Sequence, residues 1–171
     1  MQSQHQSPPA WPIRIGVSRH GLGLFATRDL SPTSQILVFD GPEISFERML
    51  CKREHEANAL QIARNCYLDL TPPGVYANHS CQPNAGIKQN RILIALQRIK
   101  AGEEITYDYS TTMLENHWTM PCHCGTEACR KLIEDFPKLP QKIQNNYLEL
   151  GIVQDFIVRN TSKQRGFWLN R

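Results

Sequence analysis

Apolar residues along this chain come in short bursts rather than long stripes. Residues 13–17 and 22–26 are two such bursts around the Ser18–Gly21 turn, where glycine can take positive φ, and they predict paired strands. Residues 35–40 predict a third strand, and residues 66–70 another that stops at Pro72-Pro73-Gly74. Residues 91–99 are apolar-rich and precede the Ala101-Gly102 turn and a strand from Glu104. Helical spacing occurs twice. Phe46, Met49, Leu50, Ala57, Leu60 and Ala63 recur at about three and four, which predicts a helix from a Ser45 cap to about Arg64. Lys52, Arg53, Glu54 and Glu56 would form its solvated face. Pro140 suits the first position of a second helix, with Ile143, Tyr147 and Leu150 on one face and Gly151 at its end. Leu139 can staple to Ile143. Many short strands and few helices give a mainly β fold.

Composition narrows the class without naming a function. The 171 residues fit one domain, 40% hydrophobic and 20% charged, as in ordinary globular proteins. No run approaches the ~18 apolar residues of a membrane span. Residues 1–10 are rich in Gln, Ser and Pro, and read as a disordered lead-in rather than a secretory signal. A net charge of +3 argues against a nucleic-acid binder. The six cysteines permit three disulfides, but nothing directs the chain outward, so an intracellular, reduced protein is expected. Cys51 and Cys66 lie outside the motifs below and read as small buried apolar residues. The basic stretch 161–171, with Phe167-Trp168, reads as a packed or frayed terminus or a docking motif.

Chemistry gathers in four places: Gly21-Leu22-Gly23, Asn78-His79-Ser80-Cys81-Gln82-Pro83-Asn84, Glu103-Glu104-Ile105-Thr106-Tyr107-Asp108-Tyr109, and Cys122-x-Cys124-x4-Cys129. Taken singly they say little. Gly21-Leu22-Gly23 alone is a tight turn, and it lacks the third glycine of a dinucleotide fingerprint. Tyr107-Asp108-Tyr109 alone is an alternating strand with buried tyrosines. The cysteines put three thiols within eight residues, too close for three independent disulfide partners, while a structural zinc wants four ligands. His117 and His123 are candidates for the fourth.

Taken together, these motifs resemble the SET-domain protein-lysine methyltransferases with a short cysteine-bearing post-SET segment, over roughly residues 11–133. The resemblance implies a β-clip-like fold of small curved sheets, with a C-terminal segment threaded beneath a loop as a pseudoknot. It implies a lead-in at 1–10, a SET domain at 11–110, a post-SET zinc segment at 117–133 and a C-terminal helical extension at 134–171. The implied activity is methyl transfer from S-adenosylmethionine to a lysine of a protein, histone or other. A non-catalytic peptide-binding module is the alternative, against which the retention of Asn78, His79 and Tyr109 counts.

The resemblance also assigns residues. Gly21, Leu22, Gly23, Tyr76, Asn78 and His79 would wrap the cofactor, with Leu132 covering its adenine. Tyr109 matches the catalytic tyrosine. It orients rather than acts as a base, because a phenol near pKa ~10 is a poor base at neutral pH. Tyr107, Phe39 and Tyr67 would line the lysine channel. A tyrosine at Tyr107 favours fewer methyls and a phenylalanine at Phe39 loosens that restriction, so the degree of methylation stays open. Cys81 would join Cys122, Cys124 and Cys129 around one structural zinc. The expected partner is a protein substrate, with no nucleic acid and no membrane.

Overall fold

A computed structural model describes residues 11–168. Strands β1 (Ile13–Ser18) and β2 (Gly21–Ala26) pair antiparallel through a two-residue turn, and Gly21 at φ +99° supplies the conformation that turn needs. Further along come β3 (Gln35–Val38), β4 (Glu43–Ile44), helix α1 (Phe46–Leu50), β5 (Ala59–Ala63) and β6 (Cys66–Asp69). They are followed by β7 (Asn78–His79), β8 (Ala85–Lys88), β9 (Ile92–Ala95) and β10 (Glu104–Tyr107). The C-terminal third adds β11 (Met120–Pro121), β12 (Leu132–Ile133), α2 (Gln141–Leu150) and α3 (Asp155–Trp168).

The strands form four small sheets, ordered β1-β2-β10-β7, β3-β9-β8, β4-β6-β5 and β11-β12. The first one places the site. β10 runs antiparallel to β2, with Ile105 opposite Leu24, and parallel to β7, with Tyr107 beside His79. Two motifs far apart in sequence are thereby zipped side by side. The main core lies between the sheets, around Leu24, Ile36, Phe39, Leu68, Leu93 and Ile105. Phe136, Tyr147, Val153 and Ile157 make a second core under the C-terminal helices. A third surrounds the cysteines, with Met113 and Ile133.

Most predicted strands form where expected. The predicted first helix is much shorter. Ser45 does cap it, its hydroxyl accepting from the Arg48 amide at 3.3 Å, but α-helix ends at Leu50. Arg53 turns to φ +53°, a 3₁₀ segment spans Arg53–Asn58, and Ala59–Ala63 pairs with β6 instead. The reversal is made by Asn65 at φ +58°, a conformation asparagine tolerates well. Non-local strand pairing outweighs the local helical spacing. The second helix forms as expected, with Pro140 at its N-cap, Gly151 left-handed at its C-cap, and Leu139 and Ile143 in one cluster, although Leu150 is exposed.

One other expectation changes. Cys51 is exposed, and Cys66 is half-buried with its thiol 3.7 Å from the Glu43 carboxylate; neither is a core residue. Most of the basic C-terminal stretch continues α3 through Trp168. The lead-in at 1–10 and residues 169–171 lie outside the described residues. Among the described residues, no helix is long and apolar enough to cross a membrane.

Candidate active site

The Asn78 amide holds the glycine turn against the zipped strands. Its Nδ2 lies 3.0 Å from the Leu22 carbonyl, 3.1 Å from Ser18 Oγ and 2.8 Å from the Glu104 carboxylate. Gly23 fits beneath this cluster because it has no side chain: a Cβ there would stand 2.5 Å from Glu104 and 3.0 Å from Asn78 Nδ2. Asn84, at the end of the same motif, gives Nδ2 to the Glu104 carbonyl at 2.8 Å and takes the Thr106 amide at 3.0 Å. One side chain thus bonds two backbone groups of β10 at the point where its partner changes from β2 to β7.

Beside this frame opens a cavity of about 540 Å³, in the range of small-molecule sites. Leu22, Tyr76, Asn78 and His79 form one side, and Met120 and Ile133 of the C-terminal segment border it too. Gly21 and Gly23 shape the hairpin rather than the wall, and Leu132 sits next to the wall residue Ile133. A second, much smaller cavity of about 30 Å³ is bordered by Tyr67, Tyr107, Trp118 and Glu115. Tyr109 borders both. Phe39 packs on Tyr107 with ring centres 5.7 Å apart, but it faces a groove with Pro72 and Pro73 instead of the small cavity.

Tyr109 is held from three directions. Its hydroxyl donates to the Ala77 carbonyl at 2.9 Å, its amide donates to His79 Nδ1 at 3.2 Å, and its ring lies 4.9 Å from that of Tyr107. Because Nδ1 accepts, the His79 ring is neutral. Burial agrees, pushing His79 down to about 4 against the pull of Asp108. Burial also holds the phenols of Tyr67, Tyr107 and Tyr109 well above their usual range, so none is a base near neutral pH.

The thiols of Cys81, Cys122, Cys124 and Cys129 all lie within 4.8 Å of one another. Cys81 and Cys122 are 3.6 Å apart, far beyond a disulfide bond. Around a tetrahedral ion with metal–sulfur bonds of ~2.3 Å, sulfurs stand about 3.8 Å apart, so this donor set suits such an ion. Burial raises Cys81 and Cys122. Burial works the same way on Cys124, yet the Thr126 hydroxyl and nearby amides outweigh it and bring that thiol down to about 6. His117 is engaged elsewhere, 3.2 Å from Glu56, and His123 borders the large cavity.

A buried network that sequence reasoning missed locks these parts together. Asp108, 1% exposed, accepts from Arg130 Nη2 at 2.8 Å and from the Tyr147 hydroxyl at 2.9 Å, and Arg130 Nη1 lies 2.8 Å from its other oxygen. The acid between Tyr107 and Tyr109 was a readable signal, since a charge there needs partners. Arg130 and Tyr147 are too remote in sequence to be named as those partners. Glu115 and Trp118 also went unread, in a segment without periodic pattern.

A SET-domain family model matches residues 21–110. The histone-lysine N-methyltransferase trithorax of Drosophila virilis is 33% identical over 139 residues, covering 70% of this chain and 4% of that protein. Histone-lysine N-methyltransferase 2D of Homo sapiens is 33% identical over 140 residues, covering 71% of this chain and 2% of its own. The chain thus spans under a tenth of the length of either relative. A solved humanised mutant of the Chaetomium thermophilum Polycomb Repressive Complex 2, bound to an inhibitor, aligns with a TM-score of 0.54 at 23% identity. That alignment covers 62% of this chain and 16% of the other, and it speaks to fold alone.

Proposed function

The chain belongs to the SET-domain family, and on that premise we propose that it moves a methyl group from S-adenosylmethionine to a lysine side chain of a protein. The observation that carries this is Tyr109, which borders both the large cavity and the small aromatic one. Such a seam is what a transfer between two differently shaped reactants requires.

S-adenosylmethionine, when bound, supplies an electrophilic methyl on a sulfonium. The large cavity has the size and the mixed polar and apolar lining for it, and the Gly23 cradle would be filled by any side chain. Leu22, Tyr76, Asn78 and His79 would hold it, with Gly21 and Gly23 setting the hairpin's approach and Leu132 flanking the adenine. His79 stays neutral and so adds no repulsion to a cationic guest. The small cavity would take the lysine end. Its amine must be neutral to attack, which at pH 7 costs about 4–5 kcal/mol from a reference pKa of ~10.4. The Tyr67, Tyr107 and Tyr109 rings lower that cost by desolvating the cation and aligning it. Phe39 supports Tyr107 from behind. Tyr109 positions amine and methyl donor across the seam and is not a base.

Cys81, Cys122, Cys124 and Cys129 would hold one zinc as a structural tie. The ion would join the Asn78–Cys81 motif to the segment that closes the large cavity. The same reading divides the chain into a SET domain at 11–110, a post-SET segment at 117–133 and a helical extension at 134–171. Histones are the first acceptors to try, given what the relatives' names say they act on. The test is transfer of labelled methyl from S-adenosylmethionine into core histones and cell-extract proteins. A labelled protein band, with the label on lysine, is expected. No label in either pool, from protein that binds the cofactor, contradicts the reading.

A further inference from the structure

Methyl transfer to a lysine releases one proton, and the tyrosines of the small cavity cannot take it. Glu115 can reach that space, since it borders the same cavity as Tyr67, Tyr107 and Tyr109. Its segment is firmly placed. The Leu114 amide donates to the buried Gln61 side chain at 2.9 Å, and the Asn116 amide donates to Asp135 at 2.6 Å. On the same cavity stands Tyr67, 2% exposed, with its buried hydroxyl beside the Glu115 side chain. Tyr67 and Glu115 thus present a hydroxyl and a carboxylate side by side to the aromatic cavity, a pairing suited to a cationic guest.

We propose that Glu115 is a catalytic residue: its carboxylate receives the substrate lysine's ammonium in the aromatic cavity and accepts its proton before transfer. This rests on the methyltransferase reading given above. The step balances simply. An N–H bond of the ammonium breaks, its electron pair stays on nitrogen, and an O–H bond forms on Glu115. The freed pair then makes the N–C bond to the methyl as the C–S bond breaks with its pair left on sulfur. Glu115 is half-buried, so the proton passes on to water.

The surroundings suit the task. Burial, then the charge of Asp135, raise the Glu115 carboxyl to about 7, while the Leu114 amide, 3.4 Å from its Oε2, and then His117 pull the other way. Glu56 borders the same cavity but is engaged by His117 at 3.2 Å. Glu115 also raises the Tyr67 phenol, in addition to the effect of burial. A carboxylate that titrates near the working pH is a competent acceptor.

The experiment compares the wild-type chain with Glu115→Gln, using S-adenosylmethionine and core histones as the probe, from about pH 6 to 9.5. The wild-type rate should rise with pH and level off above about 7, following ionisation of Glu115. The variant should be slower near pH 7 by on the order of 100-fold. Its rate should keep climbing about tenfold per pH unit, as solvent alone deprotonates the lysine. Two further readouts separate this from a structural role. A raised folded pKa means the ionised carboxylate costs stability as pH rises through the window from the ordinary carboxylate value to about 7. Glu115→Gln should therefore gain in Tm over wild type between about pH 4 and pH 8, while S-adenosylmethionine affinity by calorimetry stays the same. In carbon-13 spectra, one glutamate carboxyl that titrates near 7 should be missing from the variant. An active wild type with a variant/wild-type ratio constant across pH, or an ordinary Glu115 titration near ~4.3, overturns this proposal alone. A wild type that binds S-adenosylmethionine but labels nothing overturns the methyltransferase reading and this step with it.

Discussion

Asp108 shows how one residue can set the geometry of a site it never enters. It lies between two tyrosines that border the small cavity, and it accepts from Ser110, Arg130 and Tyr147. Those donors come from the turn after β10, the cysteine segment and α2. The charge is what matters, because Arg130 is itself largely buried with a side chain 12% exposed. Removing one member of such a pair strands the other, at a cost of about 3–5 kcal/mol. Asp108→Asn, nearly identical in shape, should lower Tm by roughly 10 °C in a chain of this size. Calorimetric unfolding checks it; a Tm within a degree or two of wild type would show that the network contributes little.

At the scale of elements, legibility depended on whether the signal was local. The β1–β2 hairpin announced itself through a glycine turn between two apolar runs, and α2 through Pro140 and Gly151 at its ends. Helix α1 was overextended because residues 46–63 carry a helical period that pairing of β5 with β6 overrides. Helix α3 was not foreseen, although Asp155 in its first turn and buried Ile157 were available clues. The β11–β12 ladder is a two-stranded sheet of its own, with the pairs Met120–Ile133 and Pro121–Leu132. Two such pairs cannot stand alone in water. Its order should therefore depend on the four-cysteine site nearby. Chelation should remove one zinc per chain, open residues 114–133 to proteolysis and reduce transfer, with re-added zinc restoring all three. Active protein purified without chelator and free of zinc would contradict this.

Across the whole molecule, the two cavities that Tyr109 borders sit where two of the cores meet. The sheet core ends at Tyr107, the cysteine core includes Met113 and Ile133, and Tyr109 packs against both. The motifs were readable as a set because each is short and contiguous, and the thiol cluster assembles the four cysteines that the resemblance implied. Their meeting was not readable, since parallel pairing of β7 with β10 and the link from Tyr147 to Asp108 are long-range contacts. Phe39 illustrates the limit: its position in sequence suggested the channel, while packing sets it behind Tyr107. The proposed transfer depends on Tyr109, which borders both cavities. The decisive measurement is single-turnover transfer of labelled methyl to core histones by wild type and Tyr109→Phe, with S-adenosylmethionine affinity measured alongside. Affinity should be unchanged and the rate lower by on the order of 100-fold. Equal rates in the two proteins would contradict it.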